Sequence, residues 1–555
     1  MKILYRNRIS NLAVAMMFLF AGTLITGCYK EKEAEVVAPT GDGNMLVVSV
    51  LGVADVEEIL PTDAKANAAG RAAVKDDELM PNKMVNTKGF DALLEVERNA
   101  IPASKVVMIG SKASSAGTGQ RAAAVPAGVK YRLFLYKSDG SFYSSTLLTS
   151  GQAVKIPVDV STKYTYYALS YNNKEDVPDI SDRNTPSLAL PGNRDVLYAT
   201  GTVDVPAAIG ENTALGITFN HSLARVGVEI NTMGMFADME NLGVTVSGLT
   251  AKTATINLKT GALSNPVTYE PALDFASFGN VEEPYADAKI AYIYTAEVGT
   301  SNVVVTLNKL QLKIDDGTSR SFDQLLSATP STFTFNSVPR QLGASFTARV
   351  NMIESPLTLG NVRWARQNLY YVNGHNPYRF QHTYAHTNAR NTYFSFRGLV
   401  PESFGTNSDP CAQVYPSGTW RQPTVSEISV LANAAATYGD ANGLGYFEYT
   451  AAGTAAPYPG NNLRLNMNGR GNTVSVVENL VKIDLGSTYG TAANYWSSSA
   501  LLDVGPLLVA GARSFDGTRV GNNNVLALGE NVLNIGLLSI GVLESDFRNV
   551  RCVRR

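Results

Sequence analysis

Tyr131-Arg132-Leu133-Phe134-Leu135-Tyr136 runs into Lys137-Ser138-Asp139-Gly140 and resumes as Ser141-Phe142-Tyr143. Aromatic and aliphatic residues fill both arms. Asp-Gly between two apolar runs is the pair that tight hairpin turns favour. The segment reads as a β-hairpin, and similar runs continue after it. Ala153–Val158, Lys163–Ser170, Val196–Val203 and Ile217–His221 come first. Arg225–Asn231, Gly243–Val246, Thr253–Leu258, Ile290–Ala296, Asn302–Leu307, Leu310–Ile314 and Ser345–Met352 follow. Strands spaced about 8–12 residues apart, with turn residues between them, predict an all-β chain of sandwiches. Helical periodicity is confined to Ser321–Leu326 and Val425–Ala435.

Upstream of the hairpin lies one more strand candidate. Met45-Leu46-Val47-Val48-Ser49-Val50-Leu51 is an unbroken apolar run between Gly43 and Gly52. It reads as a buried strand in an otherwise polar stretch. Before it, residues 29–43 are polar and lack periodicity, as a flexible tether does.

The first 28 residues have a different character. Lys2, Arg6 and Arg8 precede an apolar run from Leu12 to Ile25, which ends in Ile25-Thr26-Gly27-Cys28. A basic start, a short apolar run and small residues before the cut make a secretory signal. The run is shorter than the ~20 residues a membrane span needs. A cut just before cysteine resembles the bacterial lipobox, which makes Cys28 the expected lipidation site. The expected location is the outer membrane, on the cell surface.

Composition narrows the function. The 555 residues are 45% hydrophobic, enough for sizeable cores, but only 17% charged. A net charge of -2 gives nucleic acid and acidic membranes no electrostatic footing. Of three cysteines, Cys28 is assigned to lipid; Cys411 and Cys552 remain for one disulfide in an oxidising exterior, or persist as buried thiols. Boundaries are expected near 213 and 355: a tether over 28–43, a first sandwich over 44–212, a second over 213–355 and a distinct domain over 356–555. That last region holds all three tryptophans and three of the four histidines.

Two segments of the sandwich region carry a resemblance. Arg194-Asp195-Val196-Leu197-Tyr198-Ala199 and Phe219-Asn220-His221-Ser222-Leu223-Ala224-Arg225-Val226 resemble hallmarks of the fimbrillin-like lipoproteins of Bacteroidetes. The C-terminal third resembles a module of surface proteins from the same bacteria. Its elements are Trp364-Ala365-Arg366-Gln367-Asn368-Leu369, Asp409-Pro410-Cys411, Trp420-Arg421-Gln422-Pro423-Thr424, Tyr495-Trp496-Ser497-Ser498-Ser499 and Val550-Arg551-Cys552-Val553-Arg554. Together they resemble the accessory tip subunits of the Porphyromonas major fimbrium. The resemblance implies two tandem transthyretin-like or Ig-like sandwiches followed by a mixed, C-type-lectin-like domain.

It also implies a mode of assembly. In such fimbriae an arginine-specific protease cuts after the first strand. That strand leaves, and a neighbouring subunit fills the groove by β-strand addition. Here the displaced strand would comprise Met45, Leu46, Val47, Val48, Val50 and Leu51. The cut would fall at Arg71, in Ala69-Gly70-Arg71-Ala72-Ala73, or second at Arg121, in Gly119-Gln120-Arg121-Ala122-Ala123. Arg98 lies in the more structured Leu94-Glu95-Val96-Glu97 stretch. Implied partners are other fimbrial subunits, the protease, and host or bacterial surface receptors of protein or glycan. A C-terminus pinned through Cys552 is expected not to donate a strand.

Catalytic patterns are missing from the sequence. His382 and His386 have i, i+4 spacing but no neighbouring glutamate and no helical context, so they read as polar loop histidines. His221, in an apolar strand, reads as a hydrogen-bonded core or edge residue. No enzyme, cofactor or metal is expected. Tyr370, Tyr371, Tyr378, Tyr384 and Tyr393 offer flat faces for a sugar or protein ligand, or are ordinary core tyrosines. The rival to a fimbrial tip subunit is a glycan-binding lipoprotein that stays anchored at the surface.

Overall fold

A computed structural model describes residues 43–54, 79–99, 122–401, 403, 408–477, 480–484, 488–503, 509–531 and 546–555. Cys28, Arg71 and Arg121 lie outside the described residues. The chain is built almost wholly of strands, in several sheets. In chain order the first eleven are β1 (Asn44–Ala54), β2 (Lys83–Asn86), β3 (Phe90–Arg98), β4 (Ala122–Ala123), β5 (Lys130–Lys137), β6 (Phe142–Thr149), β7 (Val154–Val158), β8 (Lys163–Ser170), β9 (Ser187–Ala189), β10 (Leu197–Asp204) and β11 (Asn212–His221).

The hairpin of residues 130–149 is β5 and β6. Gly140 sits at φ 85°, and the Lys137 and Gly140 amides bond to Ser141 and Lys137 carbonyls at 2.9 Å. The register slips one residue beside the turn, between Leu135 and Tyr136. That is the bulged hairpin a glycine at positive φ permits. β5 then pairs with β8 and β8 with β10. A second layer holds β1 between β11 on one edge and β7 and β4 on the other. β11 pairs with β1 along most of its length and with β10 through Asn220 and His221, so it passes from one layer to the other. Leu46, Val48, Ile156, Leu215, Ile217 and Phe219 share one core with Tyr131, Leu133, Leu135 and Leu197.

The next ten strands are β12 (Ala224–Gly234), β13 (Ala237–Ser247), β14 (Ala251–Asn257), β15 (Leu263–Tyr269), β16 (Gly279–Asn280), β17 (Ala288–Thr295), β18 (Gly299–Ile314), β19 (Ser319–Ser321), β20 (Ser331–Arg340) and β21 (Ser345–Glu354); β14 and β15 form a small sheet with β9, and the others build a second sandwich. One sheet runs β16-β17-β12-β21-β3-β2, and the other joins β13, β18, β19 and β20. The stretches expected as two strands, Asn302–Leu307 and Leu310–Ile314, are one strand, β18. The short helix Asp323–Ala328 caps this sandwich.

β11 pairs with β1 and β10 through His221, beyond the boundary expected near 213. The segment 79–99 crosses into the second sandwich, where β3 pairs antiparallel with β21 over nine residues. Phe90, Ala92, Leu94 and Val96 face that core, while Glu95 and Glu97 alternate outward. The apolar alternation of β3 is plain in sequence; its choice of sheet depends on a strand some 250 residues later.

Five sequence elements converge in the C-terminal region. Strand Val362–Trp364 and strand Trp420–Arg421 flank Val553–Arg554. Ala365 donates its amide to the Cys552 carbonyl at 2.8 Å, and Leu369 donates to Val550 at 2.9 Å. Tyr495 bridges Asn549. Cys411 and Cys552 form a disulfide with Cα atoms 5.7 Å apart. Arg551, 2% exposed, donates to the carbonyls of Ala365 (3.1 Å), Arg366 (2.7 Å) and Arg464 (2.7 Å) and to Asn368 Oδ1 (2.9 Å). This guanidinium replaces water for four acceptors at once, which accounts for a buried charge without a carboxylate. Helix Val425–Asn433 completes the region, with a reciprocal capping box between Thr424 and Glu427.

Leu46 is fully buried in the first sandwich. Leu46→Ala is expected to lower stability by about 2–5 kcal/mol through lost burial and a residual cavity. Calorimetry should show the loss in the first sandwich's transition. An unchanged transition would mean that β1 does not contribute to that core.

Candidate functional site

The site is the place β1 occupies. Leu46 and Val48 are fully buried, Val53 and Ala54 nearly so, and Met45 and Val47 are half-buried on the outer face. Parallel pairing runs from Met45 opposite Asn212 to Val53 opposite Phe219. Antiparallel pairing on the other edge runs from Asn44 opposite Val158 to Val48 opposite Val154. Among the described residues β7 is placed in the sheet by β1 alone. Taking β1 away leaves backbone donors and acceptors on both flanking strands unpaired, above an apolar floor.

Leu51 departs from the expected buried pattern. It is 62% exposed. A register shift between Val50 and Gly52 turns the side chain outward, and Gly52 takes φ 154°. Leu51 lies across Gly216, where a built Cβ would come 2.7 Å from Leu51 Cδ1. The displaced-strand set therefore has Leu46 and Val48 as its deep anchors, and Leu51 is not one of them.

The start of β1 carries a residue that the apolar reading passed over. Asn44 is 0% exposed. Its Nδ2 donates to the Pro206 carbonyl at 3.1 Å, and its Oδ1 accepts from the Glu211 amide at 3.2 Å. The Met45 amide then donates to the Glu211 carbonyl at 3.3 Å. The sequence signal was an asparagine in phase with Leu46 and Val48.

The tyrosines expected as ligand faces differ in burial and in contacts. Tyr393 is fully buried and Tyr378 is 8% exposed, so both are core residues with no face for a ligand. Tyr393 donates to the Asn468 carbonyl at 2.6 Å and Tyr384 to the Asn462 carbonyl at 2.8 Å. Tyr370 reaches Asp315 Oδ2 at 3.3 Å, and burial raises its phenol to about 12. Tyr371 packs edge-on against Tyr378. Each ring is spent on the fold or on the contact with the second sandwich.

Three of the four histidines are committed as well. His221 Nδ1 lies 2.6 Å from Asp195 Oδ1, and His386 Nε2 lies 2.8 Å from the Gly445 carbonyl. His375 stacks on Tyr285 with centroids 3.7 Å apart and meets Asp287 Oδ2 at 2.9 Å. His382 and His386 lie on irregular backbone and do not converge. Among the described residues no group of three or more His, Cys, Asp or Glu side chains is placed to hold a metal ion, and no helix is long and apolar enough to cross a membrane.

Charged contacts fasten the C-terminal region to the second sandwich. Asp91 on β3 receives Arg554 at 3.1 Å and Arg363 at 3.0 Å. Burial raises the Asp91 carboxyl, and the guanidiniums offset part of that rise. Arg379 meets Asp315 at 2.5 Å, and Tyr415 donates to Asn351 Oδ1 at 2.5 Å.

No protein-family model matches the chain, and no curated protein matches it in sequence. Among solved structures it is similar to a Bacteroides fragilis protein described provisionally as a cell adhesion protein. That match has 12% identity and a TM-score of 0.27, and covers 51% of this chain and 95% of that one. It is also similar to the fimbrial anchor protein Mfa2 of Porphyromonas gingivalis, with 16% identity, a TM-score of 0.21, and 33% and 71% of the two chains covered. A fimbrial assembly protein from Parabacteroides distasonis matches at 11% identity and a TM-score of 0.23, over 40% of this chain and 82% of that one.

His382 supplies a pH signature. Both ring nitrogens are buried without a hydrogen-bond partner among the described residues, and burial lowers the imidazole to about 4. Between about pH 6.5 and 4 the unfolded chain binds a proton that the folded chain refuses. Stability therefore falls on acidification through that window, by up to about 3 kcal/mol. In His382→Gln the decline from pH 6.5 to 4 should be shallower in denaturant titrations. An identical slope would show that His382 takes up its proton without cost.

Proposed function

We propose that this protein is an accessory tip subunit of a bacterial surface fimbrium, which gives up β1 and receives a strand from a neighbouring subunit in its place. The observation that carries the reading is the setting of β1. It is an interior strand with both edges paired, yet its covalent links to the rest of the chain are segments 1–42 and 55–78. One cut within residues 55–78 leaves it attached by non-covalent contacts only. The groove then offers both unpaired edges and an apolar floor, which β-strand addition satisfies.

In this reading Cys28 bears the lipid that holds the precursor at the outer membrane. An arginine-specific protease releases the mature subunit, which then engages host or bacterial receptors from the fibre tip. The position of β3 favours Arg71 over Arg121. A cut at Arg121 alone leaves β1 joined to β3, and β3 is clamped between β2 and β21 with Asp91 bound to Arg554 and Arg363. A cut at Arg71 separates β1 from β3. Arg98 ends a paired strand opposite Phe346, where a protease cannot draw out the backbone without breaking the sheet. Val553–Arg554 is a buried central strand, so these residues are not available for donation to a neighbour.

The test is to purify fimbriae from strains carrying Arg71→Ala, Arg121→Ala and both changes, and to weigh this subunit's N-terminus. Arg71→Ala should leave a lipidated precursor that is absent from fimbriae, and Arg121→Ala should assemble normally. Normal incorporation of the double variant with an intact N-terminus would sink strand exchange. A wild-type subunit that keeps Cys28 in its mature form would favour the rival reading, an anchored glycan-binding lipoprotein.

A further inference from the structure

The apolar part of β1 does not fix its own register. Leu46, Val48 and Val50 repeat every second residue, so a strand slipped by two residues still points Leu or Val into the core. A one-residue slip exchanges the two faces, but Met45 and Val47 are apolar too, so the pattern resists it only weakly. Some other feature has to forbid the two-residue slip.

Asn44 is that feature. It occupies an inward position in phase with Leu46 and Val48 and is fully buried. Its carboxamide uses one donor and one acceptor on the backbone of the loop between β10 and β11, at Pro206 and Glu211. A leucine at this position deprives both backbone groups of a partner. An aspartate accepts from Glu211 but faces the Pro206 carbonyl with a second acceptor. Displaced by two residues, the carboxamide leaves its partners and a bulky apolar side chain takes its place. A buried polar residue that costs stability unless seated in one register specifies that register.

We infer that the β1 slot is keyed by a carboxamide: a strand that takes the place of β1 runs parallel to β11 and bears asparagine opposite Val158, with large aliphatic residues two and four positions on. The partner is thereby defined by chemistry, as an extended segment of the form Asn-x-aliphatic-x-aliphatic. This part of the inference rests on the strand-addition reading. The role of Asn44 in seating β1 itself does not.

Two measurements separate these claims. In the uncut full chain, Asn44→Leu should move the denaturation midpoint of the first sandwich to lower denaturant, although leucine is the more apolar residue. Equal or greater stability would overturn the key. A full chain with one engineered protease site inside residues 55–78 is then folded, cut and challenged with a labelled peptide of residues 44–54. The native peptide should enter, and the Asn44→Leu and Asn44→Asp peptides should bind about tenfold more weakly, the loss expected for two partly exposed hydrogen bonds. Equal uptake of all three would overturn the key while leaving strand addition intact. If no peptide enters, strand addition and the predicted partner both fail, and the seating of Asn44 is judged by the uncut chain.

Discussion

A strand inside a sheet must satisfy hydrogen bonds on both of its edges, and β1 meets this demand for three neighbours at once. β11 lies along one side, with β7 and β4 along the other. Among the described residues β7 pairs with no other strand, and β11 continues from β1 into the opposite layer. The layers of the first sandwich are joined by β11, and β1 holds β7 and β4 to the layer that β11 begins in. Burying Leu46 and Val48 supplies the apolar part of the attachment, and the backbone ladder supplies its direction. Neither part suffices alone, since an apolar strip without a ladder has no register and a ladder without apolar anchors competes poorly with water.

What was legible in the sequence was local. The Asp139-Gly140 turn, the β-branched runs of both sandwiches and the helix near Val425 depend on residues a few positions apart, and they fold as read. The cysteine pair emerged by counting and lies in the C-terminal core. The failures were non-local. β3 announces itself as a strand, but nothing near residue 90 says that its partner is β21. Leu51 looks like its neighbours in composition, and a bulge turns it to solvent. Tyr378 and Tyr393 carried no mark separating a buried ring from a presented one, because aromatic residues serve both purposes. Asn44 was overlooked for a related reason: next to an apolar run, a polar residue is taken for the strand's boundary, whereas here it sits in the wall of the core.

The second sandwich and the C-terminal region are tied more closely than a flexible string of modules would be. Asp91 draws Arg363 and Arg554 onto β3, and Arg551 is spent on backbone carbonyls within its own region. The aromatic side chains that line the seam, including Tyr370 and His375, are bonded across it to Asp315 and Asp287. A pull on the C-terminal region is therefore carried into the second sandwich through charged and ring contacts and not through the connecting chain alone.

The spacing of these contacts along the chain has a kinetic side. Asn44 bonds to partners 162 and 167 residues further on, and Arg554 reaches back 463 residues to Asp91. A chain made N-terminus first presents β1 long before β11 exists to receive it, and Asp91 long before Arg554 arrives. Contacts of such separation form slowly, because loop closure must precede any gain. Of the described strands, β1 is thus the first made and among the last to be seated, and for that interval its apolar face is uncovered.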